Sequence, residues 1–222
     1  MKTPLPQSKE DRGLSNWVTT SLRDAILNGY FEPGEKLDQS LISSELNVSR
    51  TPIREALKVL ASEGFVEILS YRGAYIPKFS KQDIQDIYEV RSVIEHELVR
   101  LAVPVIPEEV LIHLEDILNQ DGEALETGAD RKHYESDREF HITIASYCQN
   151  KLYKEILDNL NNRIIRVRSF ALHQPGPHLH RSHNEHSEIL KAMRLRNANK
   201  AARLMQEHLK NSAERIKNFV SE

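Results

Sequence analysis

The sequence predicts a mainly α-helical chain in two parts, an N-terminal winged helix-turn-helix followed by a C-terminal six-helix antiparallel bundle. Three observations carry the prediction. From Lys81 onward, apolar residues recur only at helical spacing, in six runs broken by Pro104, Pro107, Gly128, Asn150, Pro175-Gly176-Pro177 and Asn197. Before Gly64, three shorter amphipathic runs are separated by turn residues. Between the two regions lie two β-prone runs, Phe65-Val66 with Ile68 and then Tyr75-Ile76, joined by the hairpin turn Ser70-Tyr71-Arg72-Gly73.

Composition narrows the function classes. A chain of 222 residues has ample length for a buried core. Its net charge of -3 and pI near 6.4 give no global basic signal. The single cysteine, Cys148, excludes an intramolecular disulfide framework and fits a reducing compartment. No apolar run reaches the roughly 18 residues of a membrane helix, and the polar N-terminus lacks a signal-peptide core. A soluble, cytoplasmic protein is expected, with residues 1–12 a flexible tail, 13–77 the winged domain, 78–80 a linker and 81–222 the bundle.

In the winged domain, Ser15 to Asn28 forms the first helix, with Val18, Leu22, Ala25 and Ile26 inward and Gly29 at its end. Tyr30 to Glu35, with its Pro-Gly pair, is a turn. Leu37, Leu41, Ile42 and Leu46 support a short second helix. Asn47 then takes the turn position where glycine is usual, and asparagine tolerates positive φ. The third helix, Ser49 to Gly64, has Ser49 as N-cap, Pro52 in its first turn and Gly64 as a left-handed stop. Ile53, Leu57, Leu60 and Ala61 face inward, leaving Arg50, Thr51, Arg54 and Lys58 outward. That outer face suits either major-groove insertion or an ordinary solvated surface. The hairpin would be a wing with Arg72 at its tip. From Glu10 to Pro77 there are ten acids and seven bases, so the basic residues must converge on one face if DNA is the partner.

The bundle helices are expected at Lys81–Val103, Pro107–Glu126, Asp130–Gln149, Lys151–Leu172, His178–Arg196 and Asn199–Val220, the first opening on a capping-box pair, Ser80 and Asp83. Polar residues on their apolar stripes need a reason. Asp137 and His141 share a stripe with Tyr134, Ile144 and Cys148; His186 shares one with Ile189, Leu190 and Met193; His208 one with Ala201, Leu204 and Met205. Separately these are hydrogen-bonded core residues. Together, one carboxylate and three imidazoles make a divalent transition-metal site, zinc first, with nickel, manganese or iron also fitting the ligand types. All ten histidines lie beyond residue 95, and His183, one turn before His186, is an alternative ligand or ligand contact. Arg91 interrupts the stripe of Ile84, Ile87, Tyr88 and Ile94; it pairs with Glu95 or Glu97, or receives an anion.

The stretch NVSRTPIREALKVLASEGFVEI with YRGAYI resembles the winged helix-turn-helix of GntR-type bacterial transcription regulators. DREFHITIA, EHSEILKAM and RLMQEHL resemble the FCD effector domain of the FadR subfamily, and six bundle helices look like its VanR-like branch. The resemblance implies a homodimer on double-stranded operator DNA, with a small carboxylate effector in a metal-containing cavity. Carried over by position, it implies DNA reading or positioning by Arg50 and Arg54, with Gly73 shaping the wing, while Thr51, Lys58 and Arg72 are further candidate contacts from the outer face and wing tip. It implies metal ligands Asp137, His141, His186 and His208 and an effector contact at Arg91, with Ser182 and His183 as further candidate effector contacts. Ser40 stands where some relatives carry a DNA-contacting arginine. The implied function is transcription regulation, with repression the expected sign. The competing classes are a metal-dependent hydrolase, for which no nucleophile, H-E-x-x-H or glycine-rich phosphate loop is present, and a helical adaptor.

Overall fold

A computed structural model describes residues 9–27, 29–128, 130–172 and 178–220. Most of the expected tail, and the loop holding His173 and Pro175–Pro177, lie outside the described residues. The chain divides into two compact units, Met1–Lys78 and Phe79–Glu222.

The first unit packs three helices against a small sheet. Helix α1 (Lys9–Leu27) begins six residues before the expected Ser15 and takes in the last four residues of the expected tail. The Lys-Glu-Asp-Arg run holds no helix breaker, so the helix extends through it. Strand β1 (Lys36–Leu37) corrects the reading of Leu37 as helical. Asp38 caps helix α2 (Gln39–Glu45), accepting from the Ser40 and Leu41 backbone N–H groups, and so ends the extended segment just after Leu37. Leu37 pairs with Ala74 instead, and Leu41 is exposed. Asn47 takes a φ of 51°, as the glycine-type turn requires.

Helix α3 (Arg50–Ser62) has Ser49 at its N-cap, but the hydroxyl makes no capping hydrogen bond. Three residues on, Pro52 lacks one of the two N–H groups that such a hydroxyl can bind, leaving only that of Thr51. Gly64 adopts φ 79° after the helix, as expected. Ile53, Ala56, Leu57 and Leu60 bury their side chains against Val18, Leu22, Phe65 and Ile76. A bidentate Arg23–Glu63 pair ties α1 to the end of α3. Strands β2 (Glu67–Leu69) and β3 (Gly73–Tyr75) form the hairpin, and β1 joins it in the order β1-β3-β2, all antiparallel.

The second unit is the expected six-helix bundle: α4 (Lys81–Ala102), α5 (Glu108–Glu126), α6 (Asp130–Ser146), α7 (Lys151–Leu172), α8 (His178–Arg194) and α9 (Ala198–Lys217). The Ser80/Asp83 capping box is complete at the start of α4. Helix α9 starts at Ala198 because the Asn197 side chain accepts from the Lys200 N–H. The α4–α5 turn is held from outside its own sequence: Arg196, itself at φ 54°, donates to the carbonyls of Val103 and Ile106 at 3.0 and 2.6 Å. Helix α4 packs along α9 and α7, and α8 packs on α5 and α9. This arrangement brings inward faces of α4, α6, α8 and α9 together, and with them the polar residues on their stripes.

Candidate functional sites

On the first unit, Arg50, Thr51, Arg54 and Lys58 are all exposed on α3, and Arg72 is exposed at the hairpin. Lys58 pairs with Glu55 at 2.8 Å, both well exposed, so the contact adds little stability and the lysine stays available. Gly73 adopts φ 107°, a conformation that L side chains rarely take, and an added Cβ would lie 3.2 Å from the Lys36 side chain. The hairpin backbone thus favours glycine at this position. Its most exposed apolar side chain is Tyr71, at φ 61°.

On the second unit, Asp137, His141, His186 and His208 are all buried, and one ligand atom from each falls within 4.8 Å of the others. His186 Nε2 lies 3.3 Å from His141 Nε2 and 3.2 Å from His208 Nε2. Asp137 Oδ1 lies 3.6 Å from His186 Nε2 and 3.8 Å from His141 Nε2. A tetrahedral ion with ligand bonds of about 2.0–2.1 Å spaces its donors roughly 3.3 Å apart, close to these separations.

Two carboxylates outside the ligand set fix the tautomers. Glu95 on α4 bonds His141 Nδ1, and Glu185 on α8 accepts from His208 Nδ1 at 2.7 Å. Each carboxylate only accepts, so each Nδ1 carries a proton and Nε2 is the nitrogen left to present a lone pair in the neutral ring. Both lone pairs face His186 Nε2, which has at most one proton to share between them. A cation among the three nitrogens would satisfy all of them, and the donor set therefore fits a divalent metal.

Electrostatics point the same way. Burial, reinforced by the neighbouring imidazoles, pushes His186 well below the ordinary histidine range. Burial also dominates His208 and lowers it to about 4 against the opposing pull of Glu185. Both rings are held neutral, the form that ligates. Burial alone would raise Glu185, but Arg215 and His208 hold it down at about 2. Burial opposes ionisation of Glu95 as well, yet Arg91 and His141 keep its carboxyl far below the usual carboxylate range.

Arg91 is 1% exposed and gives its Nε to Glu95 Oε1 at 2.7 Å. Of the two partners the sequence allowed, Glu95 takes it, while Glu97 pairs with Arg100. The terminal nitrogens of Arg91 make no hydrogen bond among the described residues. Arg91 lines a small cavity, of about 40 Å³, together with Tyr88, His133, Asp137, Ser182, His208 and Arg215. Ser182 is on this wall. His183 is not; its Nδ1 bonds Asp121 Oδ2 at 2.8 Å.

Sequence reasoning missed Asp121, His133, Glu185 and Arg215. Asp121 sits on the buried stripe of α5 with Leu114, Leu118 and Leu125, and His133 is one turn before Asp137, so helical spacing carried a signal for both. Glu185 and Arg215 meet only across α8 and α9, which spacing within one helix cannot reveal.

A winged helix-turn-helix with exposed cations on its third helix, joined to a helical bundle, defines the class of DNA-binding transcription regulators. Residues 14–76 match the family described as bacterial regulatory proteins, gntR family, and residues 86–211 match the FCD domain. The chain belongs to the GntR family of regulators and carries an FCD domain. It is 30% identical over 203 residues to the HTH-type transcriptional repressor RspR of Escherichia coli (strain K12), covering 90% of this chain and 88% of that protein. It is 28% identical over 203 residues to the HTH-type transcriptional regulator YdhC of Bacillus subtilis (strain 168), covering 90% of each. Among solved structures, a putative GntR transcriptional regulator from Rhodococcus sp. RHA1 superposes with a TM-score of 0.77 at 25% identity, covering 94% of this chain and all of that one. E. coli McbR/YncC shares the fold, with a TM-score of 0.76 at 20% identity, covering 92% and 97%. These relatives are regulators, and the hydrolase and adaptor readings fall away.

Proposed function

We propose that the protein is a cytoplasmic, homodimeric repressor released from or held on its operator by a small carboxylate bound beside a divalent metal in the bundle. The carrying observation is the convergence of Asp137, His141, His186 and His208, with Asp137, His208 and Arg91 lining one cavity. Asp137 and the Nε2 atoms of the three histidines would hold the ion, which supplies positive charge and open coordination for an oxygen ligand. The unengaged nitrogens of Arg91 can receive a carboxylate, a pairing suited to the planar guanidinium.

On the DNA side, two copies would place two α3 helices in successive major grooves. Arg50 and Arg54 would position or read the site, Thr51 and Lys58 would support them, and Arg72 would reach the backbone or minor groove. The effector shifts occupancy only through different affinities for the DNA-competent and DNA-incompetent states. The modest number of basic residues is consistent with a dimer, because two half-sites multiply the contacts each copy makes.

The test is paired. Metal content of purified wild type and Asp137→Ala is measured alongside gel shifts on DNA upstream of the protein's own gene, with and without carboxylates. About one ion per chain in wild type, lost in the variant, with carboxylate-sensitive DNA binding, is the expected result. Equal metal content in both proteins would refute the ligand set, and DNA binding indifferent to every carboxylate would refute the effector reading.

A further inference from the structure

Tyr71 stands at the tip of the β2–β3 hairpin and is fully exposed. The Arg72 N–H donates to the Leu69 carbonyl at 3.0 Å, which makes Ser70 and Tyr71 the two central residues of the turn. Of the two, only Tyr71 has a positive φ, 61°. It therefore holds the second central position of a type II turn, where glycine or asparagine is favoured. A bulky side chain rarely adopts that conformation. Nothing within the fold offsets the strain, because the ring makes no hydrogen bond or ring contact among the described residues. Tyr75 is the contrast: it gives its hydroxyl to the Arg72 carbonyl at 3.2 Å and props the turn from within.

The surroundings of the Tyr71 ring are cationic. Arg72 follows it, and Lys36 on the neighbouring strand β1 lays its side chain along Gly73. Neither cation belongs to an ion pair among the described residues. Glu67, the one acid of the hairpin, sits at its base opposite Tyr75. An aromatic ring among free cations suits a polyanion with apolar surface between its charges. The minor groove of DNA is such a surface, with phosphates along its rims and sugars and base edges between them. The hairpin belongs to the unit that carries α3, and the groove next to a helix seated in the major groove is the minor groove. Depth then decides base preference. A G·C pair raises its guanine N2 amino group into the minor-groove floor, whereas an A·T pair presents only the acceptors adenine N3 and thymine O2. A ring pressed toward the floor has room over A·T and meets the amino group over G·C.

We propose that Tyr71 is a specificity-determining residue that packs its ring into the minor groove and selects A·T over G·C beneath the wing. Arg72 and Lys36 hold the tip against the phosphates. The inference rests on the wing reading given under Proposed function.

The experiment is fluorescence-anisotropy titration of the full chain with a duplex that wild type selects from a randomised pool. Each A·T pair of that duplex is replaced in turn by G·C and by I·C. Inosine lacks the N2 amino group, so I·C copies A·T in the minor groove and G·C in the major groove. At the pairs beneath the wing, wild type binds the G·C duplex about 10-fold more weakly and the I·C duplex within about threefold of the original. Tyr71→Gly keeps the turn and removes the ring. Its discrimination against G·C falls to about threefold or less, its Tm does not fall, and its salt slope stays at the wild-type value because the ring carries no charge. Tyr71→Phe retains the discrimination. Arg72→Ala also retains it but lowers the salt slope by about 1. The Tyr71 assignment is overturned by a selected duplex with no A·T pair of this behaviour, by discrimination that survives Tyr71→Gly, or by a lower Tm in that variant. A salt slope lowered by Arg72→Ala would then leave the wing reading standing. Full affinity in both Tyr71→Gly and Arg72→Ala removes the wing reading, and this inference with it.

Discussion

Replacing Glu95 with glutamine tests the polar core of the bundle at its most loaded point. Glu95 is 3% exposed and spends one oxygen on Arg91 Nε and the other on His141 Nδ1. Glutamine keeps the size and one accepting oxygen, so one of the two donors loses its partner and Arg91 loses its counter-charge. Removing one partner of a buried ion pair costs about 3–5 kcal/mol. Arg91 lines a cavity rather than close-packed core, which favours the lower end. About 3 kcal/mol corresponds to a fall of about 6–12 °C in Tm for a chain of this size. His141 also loses the negative partner that makes Nε2 a good donor, and zinc affinity should fall about 10- to 100-fold. Differential scanning calorimetry reads the first effect, and competition against a chromogenic chelator reads the second. Glu185→Gln is the internal control. It should match the loss of zinc affinity through His208 with a smaller loss of stability, because Glu185 and Arg215 are partly exposed. Zinc affinity within about twofold of wild type in Glu95→Gln would refute the role given to these carboxylates.

Other outcomes follow from the same reasoning. Arg54→Ala should abolish operator binding in a gel shift while changing stability by no more than about 0.5 kcal/mol, since Arg54 is exposed on α3; retained sequence-specific binding contradicts its assignment. Lys58→Ala should weaken all sequences alike and reduce the salt slope of binding by about 1 if the lysine meets a phosphate. Gly73→Ala should destabilise the wing by about 1–2 kcal/mol, read by urea melts, because alanine must adopt φ 107°; an unchanged midpoint would mean that the hairpin relaxes. Ser80→Ala should cost about 1 kcal/mol through loss of the α4 cap. Asp83 is held below its ordinary value mainly by the Ser80 hydroxyl and backbone N–H. Its contribution is present above the unfolded carboxyl value, near 4, and is lost as pH falls through the lower folded value. The gap between wild type and Ser80→Ala in thermal melts should therefore narrow below pH 4, and a constant gap would count against the cap.

Much of the fold was legible because helical periodicity reports burial directly. Ile53, Leu57 and Leu60 on α3, and His186 with Ile189 and Met193 on α8, are buried as their spacing requires. Asn47 and Gly64 marked their turns through backbone preference alone. The errors are also physical. Leu37 joined a strand because its partner, Ala74, lies far along the chain, and β pairing leaves no mark in a two-residue segment. The Ser49 hydroxyl makes no cap bond, and Pro52 had already left it only the Thr51 N–H, a weakness visible in the sequence.

The sequence by itself determined which residues turn inward, since each helix's own period decides that. Asp137, His141, His186, His208 and Arg91 are buried polar groups on any reading of their stripes. Only the tertiary structure decided their chemistry, because tautomer, charge and counter-charge depend on groups arriving from other helices. Glu95 from α4 accepts from His141 Nδ1, Glu185 from α8 does the same for His208 on α9, and Asp121 from α5 for His133 on α6. Which nitrogen carries a proton, and so which one can ligate or accept, was settled across helix interfaces.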